Sequence, residues 1–239
     1  MRGLGTIINA AAIVAAGILG ILCRRFIKER YQETMLKATG VTVMFLGAAG
    51  TLSKMLVPSA DGGLSVTGTI NILISLALGG LIGEIIDIDR LFERFGLWLR
   101  HKARSDRDTS FIDGFITASM TVGIGAMGIM GSINDGIYGD YSILAAKAAI
   151  DFVIILAMAA AMGKGCAFSA VTVFAVQGTM TLLAALAGNL FTESMLDCIS
   201  MTGGILIFCV GLNLVWKKLI RVANLLPAIV ITVLISFVG

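Results

Sequence analysis

The composition of this 239-residue chain indicates its class before any motif does. Hydrophobic residues make up 57% of the chain and charged residues 14%, and the mean hydropathy is +0.96, whereas soluble domains are about 45–50% apolar and about 25% charged. An ordinary soluble domain is therefore excluded, and an integral protein of a lipid bilayer is predicted. The net charge is only +3 and no aromatic-rich basic groove is present, so no nucleic-acid partner is expected.

The sequence gives little support for metal, redox or enzyme chemistry. Its four cysteines form no CxxC pair and His101 is the single histidine, which argues against a metal or redox site. No P-loop, GxGxxG, GxSxG or HExxH pattern occurs. We therefore expect no cofactor, no metal and no enzymatic activity.

Eight segments are long and apolar enough to cross a membrane, which takes about 20 mostly apolar residues. Arg24 and Arg25 follow the first segment, whereas a signal peptide carries its charge in front, so we expect this segment to be retained. The prediction is one all-α membrane domain over residues 1–239, a polytopic helix bundle. The last segment is the shortest, and seven spans is the alternative. The predicted spans are 4–23, 38–57, 66–86, 111–133, 142–162, 166–190, 198–216 and 222–239.

The distribution of basic residues predicts the orientation of the bundle. The loops after spans one, three, five and seven hold 15 of the 18 Lys and Arg residues, the opposite side holds Arg2 and Lys54, and Lys147 lies within a span. Because cytoplasmic loops are enriched in Lys and Arg, both termini should face outward. The loop with Asp135 and Asp140 should then be external, where these carboxylates would flank the entrance to a site.

Residues 87–110 are predicted to form a cytoplasmic connector. From Ile88 to Leu99, apolar and charged residues alternate in a pattern that suits a short amphipathic helix on the inner membrane surface. An ordinary solvated helix face has the same pattern. Glu84, just before this connector, is explained by solvation at the membrane interface or by a role in a cytoplasmic gate.

An internal repeat is suggested by four short matches between the two ends of the chain. Residues 1–86, with spans one to three, would form repeat A, and residues 166–239, with spans six to eight, repeat B, on either side of the central spans in 111–165. Because five spans separate each span from its counterpart, the copies would be inverted, as in many secondary transporters. Apolar segments also resemble each other by chance. The matches pair Glu33–Leu36 with Glu193–Leu196, Thr39–Gly40 with Thr202–Gly203, Gly47 and Lys54 with Gly211 and Lys218, and Leu73–Ser75 with Leu234–Ser236.

Span four carries polar and small residues along one helix face. Steps of three and four place them on a common side of the helix, which is typical of a path lined by water or substrate and equally of a tight packing face. These residues are Asp113, Thr117, Thr121, Gly125, Gly128, Ser132 and Asp135.

Two ionisable residues lie inside span five, and one amide lies inside span six. Lys147 and Asp151 are four residues apart and so share a helix face, with Asp151 near the middle of the bilayer. Ionisable groups at that depth are costly and mark functional sites by default. Asp151 would bind a cation or carry a proton, with Lys147 modulating its charge; the alternative is a fixed ion pair that holds the bundle together. Gln177, also near the midplane, would contact a polar solute or a neighbouring helix.

These same segments resemble a known family. The chain is similar to a bacterial family of uncharacterised membrane proteins called YdfK/YqgA-like, and the resemblance extends over nearly its whole length. It implies a location in the bacterial cytoplasmic membrane and transfers no substrate and no catalytic residue. The residues that carry it are Gly5–Asn9, Gly80–Glu84, Met130–Gly136, Gly139–Asp140, Leu144, Lys147, Asp151 and Gln177–Gly178.

Two functions are compatible with this pattern. The first is a transporter or channel-like permease for a small ion or polar solute, coupled to protons or sodium, with Asp151, Lys147, Gln177, Thr117, Thr121 and Ser132 near its path. The second is a non-transporting scaffold, sensor or assembly protein whose charges fix helix packing. In either case the glycine-rich helix faces are compatible with a homodimer.

Overall fold

The computed structural model describes residues 2–24, 26–59, 62–105, 108, 110–123, 126–187, 192–216 and 219–236. Within these ranges the fold is all-α except for one short antiparallel hairpin, β1 Leu56–Pro58 and β2 Leu64–Val66. The hairpin was not expected from the sequence. The helices are α1 Leu4–Arg24, α2 Glu29–Met55, α3 Thr69–Ile86, α4 Ile88–Lys102, α5 Phe111–Gly123, α6 Ala126–Tyr138, α7 Ser142–Met162, α8 Gly165–Ala187, α9 Glu193–Trp216 and α10 Pro227–Ser236, which follows a 3₁₀ turn at Val222–Leu225.

Six of these helices are long and apolar enough to cross a membrane: α1, α2, α3, α7, α8 and α9. The pair α5 and α6 makes a seventh candidate if the two helices form one broken span. The stretch from Val222 to Ser236, which includes α10, is shorter than a full span. The prediction of a polytopic helical membrane protein is therefore confirmed, with six to seven candidate spans in the described residues.

The predicted fourth span, residues 111–133, corresponds to two helices, α5 and the start of α6, which together form a candidate broken span. Helices α5 and α6 are tilted by 59° relative to each other, and residues 124–125 between them, including Gly125, lie outside the described residues. Glycine costs a helix about 1 kcal/mol relative to alanine, and α5 ends at Gly123, directly before this gap. The polar face predicted for span four is thus divided between two helices.

Helix α1 packs against α7 and α8, and glycines allow the close approach. Gly5 lies against Leu144 and Gly20 against Ala159, so α1 and α7 run in the same direction. Gly17 meets Ala167, whereas Thr6 meets Thr181, so α8 runs in the opposite direction. This arrangement brings the middle of α1 beside the middle of α7.

Helices α2 and α9 form the second close pair. Gly47 faces Gly204 and Gly40 faces Gly211, with room for no side chain between the two backbones. Gly79 of α3 lies against Ala228 of α10, and Gly83 lies against Asn224 in the turn before α10, so α3 and α10 also run in opposite directions. Such contacts between small residues let helix backbones approach closely when lipid supplies no hydrophobic driving force.

The predicted connector helix is present as α4, and it extends slightly beyond Leu99. One face of α4 packs on the start of α5, where Leu99, Phe111 and Phe115 form a small apolar cluster. The rings of Phe95 and Phe115 meet edge to face, with centroids 5.8 Å apart. The amphipathic pattern of this segment is explained by packing on α5, and its position on the membrane surface stays a prediction.

Candidate functional site

The site is centred on a buried ion pair in the middle of α7. Lys147 and Asp151 are 6% and 4% exposed, and the Lys147 ammonium donates to Asp151 Oδ2. Asp151 is the tenth residue of the 21-residue helix α7, so the pair lies about halfway along it. The predicted pairing between these two residues is present.

The ammonium of Lys147 also binds the end of the broken helix. It donates to the carbonyl oxygen of Val122 at 2.7 Å, in the last turn of α5. Carbonyl groups at a helix C-terminus lack partners within the helix and carry a partial negative charge. Lys147 therefore joins α5 to α7, because its ammonium donates to an acceptor on each helix.

Asn9 on α1 is a third member of the cluster, a role that was not predicted from the sequence. Its Nδ2 donates to Asp151 Oδ2 at 3.0 Å, and the residue is fully buried. The other amide atom, Asn9 Oδ1, is buried without a hydrogen-bond partner. A lone amide within the apolar run Leu4–Arg24 was the available signal, because such a group seeks a polar partner inside the bundle.

A cavity of about 330 Å³ lies against this pair, between α2, α5, α6, α7 and α9. Lys147 and Asp151 line it together with other polar residues, Ser53, Thr121 and Ser200. Leu46, Met127 and Ile150 also line it and are 37–43% exposed, so the cavity opens on the flank of the bundle. Its wall is largely apolar, and charge is confined to the Lys147–Asp151 pair.

Gln177, in the middle of α8, lies beside the Lys147 side chain. The side chain is 1% exposed, yet neither Nε2 nor Oε1 has a hydrogen-bond partner. A Cβ atom at Gly128 would lie 3.4 Å from Gln177 Nε2 and 3.3 Å from Lys147 Cε. The structure thus brings Gln177 and Lys147 together at the first turn of α6.

The hydroxyl groups predicted from span four bond mainly to their own helices. Thr121 Oγ1 donates to Thr117 O at 2.7 Å, and Ser132 Oγ donates to Gly128 O at 2.6 Å. Thr121 faces the cavity. Thr117 is half-buried and Ser132 fully buried, and neither is among the cavity's lining residues.

Both predicted entrance carboxylates accept hydrogen bonds from N–H groups at the start of a helix. Asp135 belongs to α6 and not to the loop in which it was predicted, and it is fully buried. Its oxygens accept the N–H groups of Gly3 at 3.1 Å and Gly5 at 3.0 Å, which anchors the start of α1. Asp140 is exposed and accepts the Ser142 N–H at 2.9 Å; this hydrogen bond at the start of α7 lowers the pKa of Asp140.

Glu84 is distant from the ion pair and holds the C-terminal end of α3 to the 3₁₀ turn. Its carboxylate accepts from Arg221 Nη1 at 2.7 Å and from Asn224 Nδ2 at 2.6 Å. Asn224 in turn accepts the N–H of Asp89 at 2.7 Å, in the first turn of α4. These polar groups hold α3, α4 and the 3₁₀ turn together, which explains why they are present.

The helices and the buried charge pair define a multi-pass membrane protein with a polar centre. Its family is shown by sequence comparison: the profile described as "Protein of unknown function (DUF554)" matches residues 4–237, and the chain belongs to that family. It is similar to "Uncharacterized membrane protein YdfK" of Bacillus subtilis (strain 168), 29% identical over 98% of this chain and 96% of that protein. It is equally similar to "Uncharacterized protein YqgA" of Escherichia coli (strain K12), 29% identical over the same shares. The predicted family is therefore confirmed, and no solved structure matches the chain.

Proposed function

We propose that the protein is a transporter or channel-like permease for a small ion or polar solute, with its site around the Lys147–Asp151 pair. The observation that carries this proposal is the charged pair at the wall of a cavity halfway along the bundle. Ionisable groups inside a membrane are costly and are typically retained for ion pathways or proton transfer.

The break between α5 and α6 supports the same function. Secondary transporters bind substrates and coupling ions where helices are interrupted near the midplane, because the free carbonyl and N–H groups there act as ligands. Here the C-terminal turn of α5 offers Val122 O to an ammonium ion. The same carbonyl would suit a metal cation or a protonated solute that displaced Lys147.

The proposed topology has eight spans in an inverted repeat, in the bacterial cytoplasmic membrane with both termini outside. The antiparallel pairs α1 with α8, α2 with α9 and α3 with α10 support it. In the central pair, Gly47 and Gly211, which the suggested repeat matches to each other, each contact a glycine of the opposite helix, Gly204 and Gly40 respectively. An inverted repeat requires this kind of reciprocity, although any antiparallel helix pair approximates it.

A scaffold, sensor or assembly protein is the second candidate, and one observation favours it. Lys147 binds both Val122 O and Asp151, and Asn9 binds Asp151 as well, so the cluster ties α1, α5 and α7 together. A pair satisfied in this way can serve packing alone.

Uptake by proteoliposomes distinguishes the two candidates. We would measure radiolabelled sodium, chloride, L-lactate and glycine under an inward proton gradient, comparing the wild type with Asp151→Asn. Asp197→Asn is the matched control, because it removes a carboxylate that pairs with Lys54 at 2.7 Å outside the site. We expect Asp151→Asn to reduce uptake of at least one solute more than tenfold, and Asp197→Asn to retain it.

Two results of these experiments would support the scaffold and contradict transport. If no solute enters faster than into protein-free liposomes, the transport proposal is wrong. It also fails if Asp151→Asn does not fold and Lys147→Met in the same chain restores folding, with no solute taken up. That pattern identifies a structural ion pair, since removing one partner leaves the other charge buried and unpaired.

A further inference from the structure

The mouth of the 330 Å³ cavity lies on the flank of the bundle, at the level of the hydrocarbon core. Leu46 of α2 and Ile150 of α7 line it and are 43% and 37% exposed. Ile150 is the ninth residue of the 21-residue helix α7, a candidate span, so the opening is about halfway along that helix. Lipid chains and not water occupy this level of a bilayer. A ligand that enters here therefore has to be soluble in lipid, and so uncharged.

The hydroxyl groups of the cavity wall offer acceptors, because their protons are already donated elsewhere. A hydroxyl has one donor and two lone pairs. Thr121 donates to Thr117 O at 2.7 Å. Ser53 and Ser200 both donate to Gly50 O, at 2.9 and 3.4 Å. The wall thus suits a ligand that donates hydrogen bonds.

Asp151 presents one unoccupied carboxylate oxygen at the same cavity. Lys147 and Asn9 both donate to Oδ2, and within the described residues nothing donates to Oδ1. The side chain is 4% exposed and lines the cavity. A carboxylate accepts hydrogen bonds through both of its oxygens, so Oδ1 is the acceptor that is left for a ligand.

We propose that the cavity binds a lipid-soluble amine, which enters from the bilayer and pairs with Asp151. The inference rests on the proposed transport function and specifies its substrate class. Small-molecule sites are typically pockets of about 300–1,000 Å³ with mostly apolar walls and a few polar groups. Here the apolar wall receives the hydrocarbon part, and Asp151 receives the N–H donors. An amine suits both surroundings, since it dissolves in lipid as the neutral base and binds a carboxylate strongly as the ammonium ion.

The amine takes its positive charge from Lys147. Lys147 and Asp151 together carry no net charge, so a second ammonium ion would leave one uncompensated charge in a low-dielectric site. One N–H bond of Lys147 breaks and an N–H bond forms on the incoming amine, while the Lys147 nitrogen keeps the electron pair. The new ammonium ion pairs with Asp151, and neutral Lys147 still has an N–H group for Val122 O. The proton returns to Lys147 when the amine leaves.

Other charged side chains on helices beside α7 have partners of their own. Asp135 accepts backbone N–H groups at the start of α1, and Lys54 on α2 pairs with Asp197. The net charge at the cavity is therefore that of Lys147 with Asp151.

Three ligands with the same ring test the inference on the detergent-solubilised full chain at pH 8.5. Benzylamine can take up a proton, benzyl alcohol stays neutral, and benzyltrimethylammonium carries a permanent charge. The shift of the thermal unfolding midpoint with ligand concentration gives each dissociation constant. We expect the wild type to bind benzylamine at least tenfold more tightly than the other two, because it alone arrives neutral and becomes an ammonium ion. Equal affinity for either of the others, or no binding of benzylamine, overturns the inference.

Gly50→Leu and Gly178→Leu locate the bound amine. Gly50 lines the cavity, and no atom lies within 4 Å of a Cβ atom there, so a leucine side chain has room to enter the cavity. Benzylamine affinity should fall at least tenfold, and unchanged affinity refutes the inference. Gly178 on α8 has the same free space outside the cavity lining, and Gly178→Leu should match the wild type. Asp151→Asn should lose as much affinity as Gly50→Leu, which keeps the test decisive if Asp151→Asn does not fold.

Failure of this inference and failure of transport give different results. Uptake of sodium, chloride, lactate or glycine by wild-type proteoliposomes without benzylamine binding refutes the inference alone. Benzylamine binding that Gly50→Leu weakens, with no uptake of these solutes and no passage of radiolabelled benzylamine faster than in protein-free liposomes, refutes the transport function alone.

Discussion

At the scale of single residues, two hydrogen-bond donors from different helices stabilise the charge on Asp151. Lys147 approaches from the same helix, and Asn9 reaches it from α1. Buried charges are tolerated where they are paired and hydrogen-bonded. The spacing of Lys147 and Asp151 made the first interaction predictable. The interaction with Asn9 depends on which helix packs against α7, and only the tertiary fold shows this.

Replacement of Asn9 by alanine should destabilise the protein through Asp151. The hydrogen bond to a charged group is worth about 1.5–3 kcal/mol, and we expect a loss of this size in denaturant unfolding of Asn9→Ala in detergent. A double-mutant cycle supplies the control. In an Asp151→Ala background the Asn9 substitution should cost less than 1 kcal/mol, and an equal cost in both backgrounds would contradict the interaction.

At the scale of helices, the bundle depends on a few close backbone approaches. A Cβ atom at Gly47 would lie 2.5 Å from Gly204 O and from Phe208 N. The opposing groups are backbone atoms, which cannot rotate away as a side chain can. The glycine content of the sequence predicted such contacts in general, and only the fold identifies which glycines make them.

Gly47→Ala and Gly50→Ala form a matched pair on α2. The first introduces a methyl group against α9, and we expect a loss of about 1–3 kcal/mol from overpacking. The second introduces the same methyl group where no atom lies within 4 Å, and alanine should leave stability unchanged or raise it by up to about 1 kcal/mol. Unfolding of both variants in detergent measures the difference. Equal stability would show that α2 and α9 are farther apart than described.

At the scale of the whole molecule, six of the eight spans predicted from hydropathy correspond to helices long enough to cross a membrane, and the other two fall where the helices are interrupted or short. The predicted span 142–162 coincides with α7, because one continuous apolar run makes one helix. The region 111–133 had the same hydropathic character but divides into α5 and α6, because glycines weaken a helix. At the end of α5, Lys147 donates to Val122 O. The depth of polar residues within the predicted spans indicated that Asp151 and Gln177 would lie inside the bundle, and both are buried; their role in a site stays a prediction. The role of Asp135 in capping α1 could not be predicted, because it depends on where α1 lies in the fold.

The eight-span topology makes a prediction about the two faces of the membrane. In a cysteine-free background, Ser59→Cys in the hairpin and Asp140→Cys should react with a membrane-impermeant maleimide in intact cells. Arg104→Cys and Leu219→Cys should react only after permeabilisation, because the positive-inside rule places their loops in the cytoplasm. A cysteine at position 239 decides whether the short α10 completes a crossing. External labelling there requires an even number of spans, whereas labelling only after permeabilisation would leave seven and remove the counterpart of α3 from the inverted repeat.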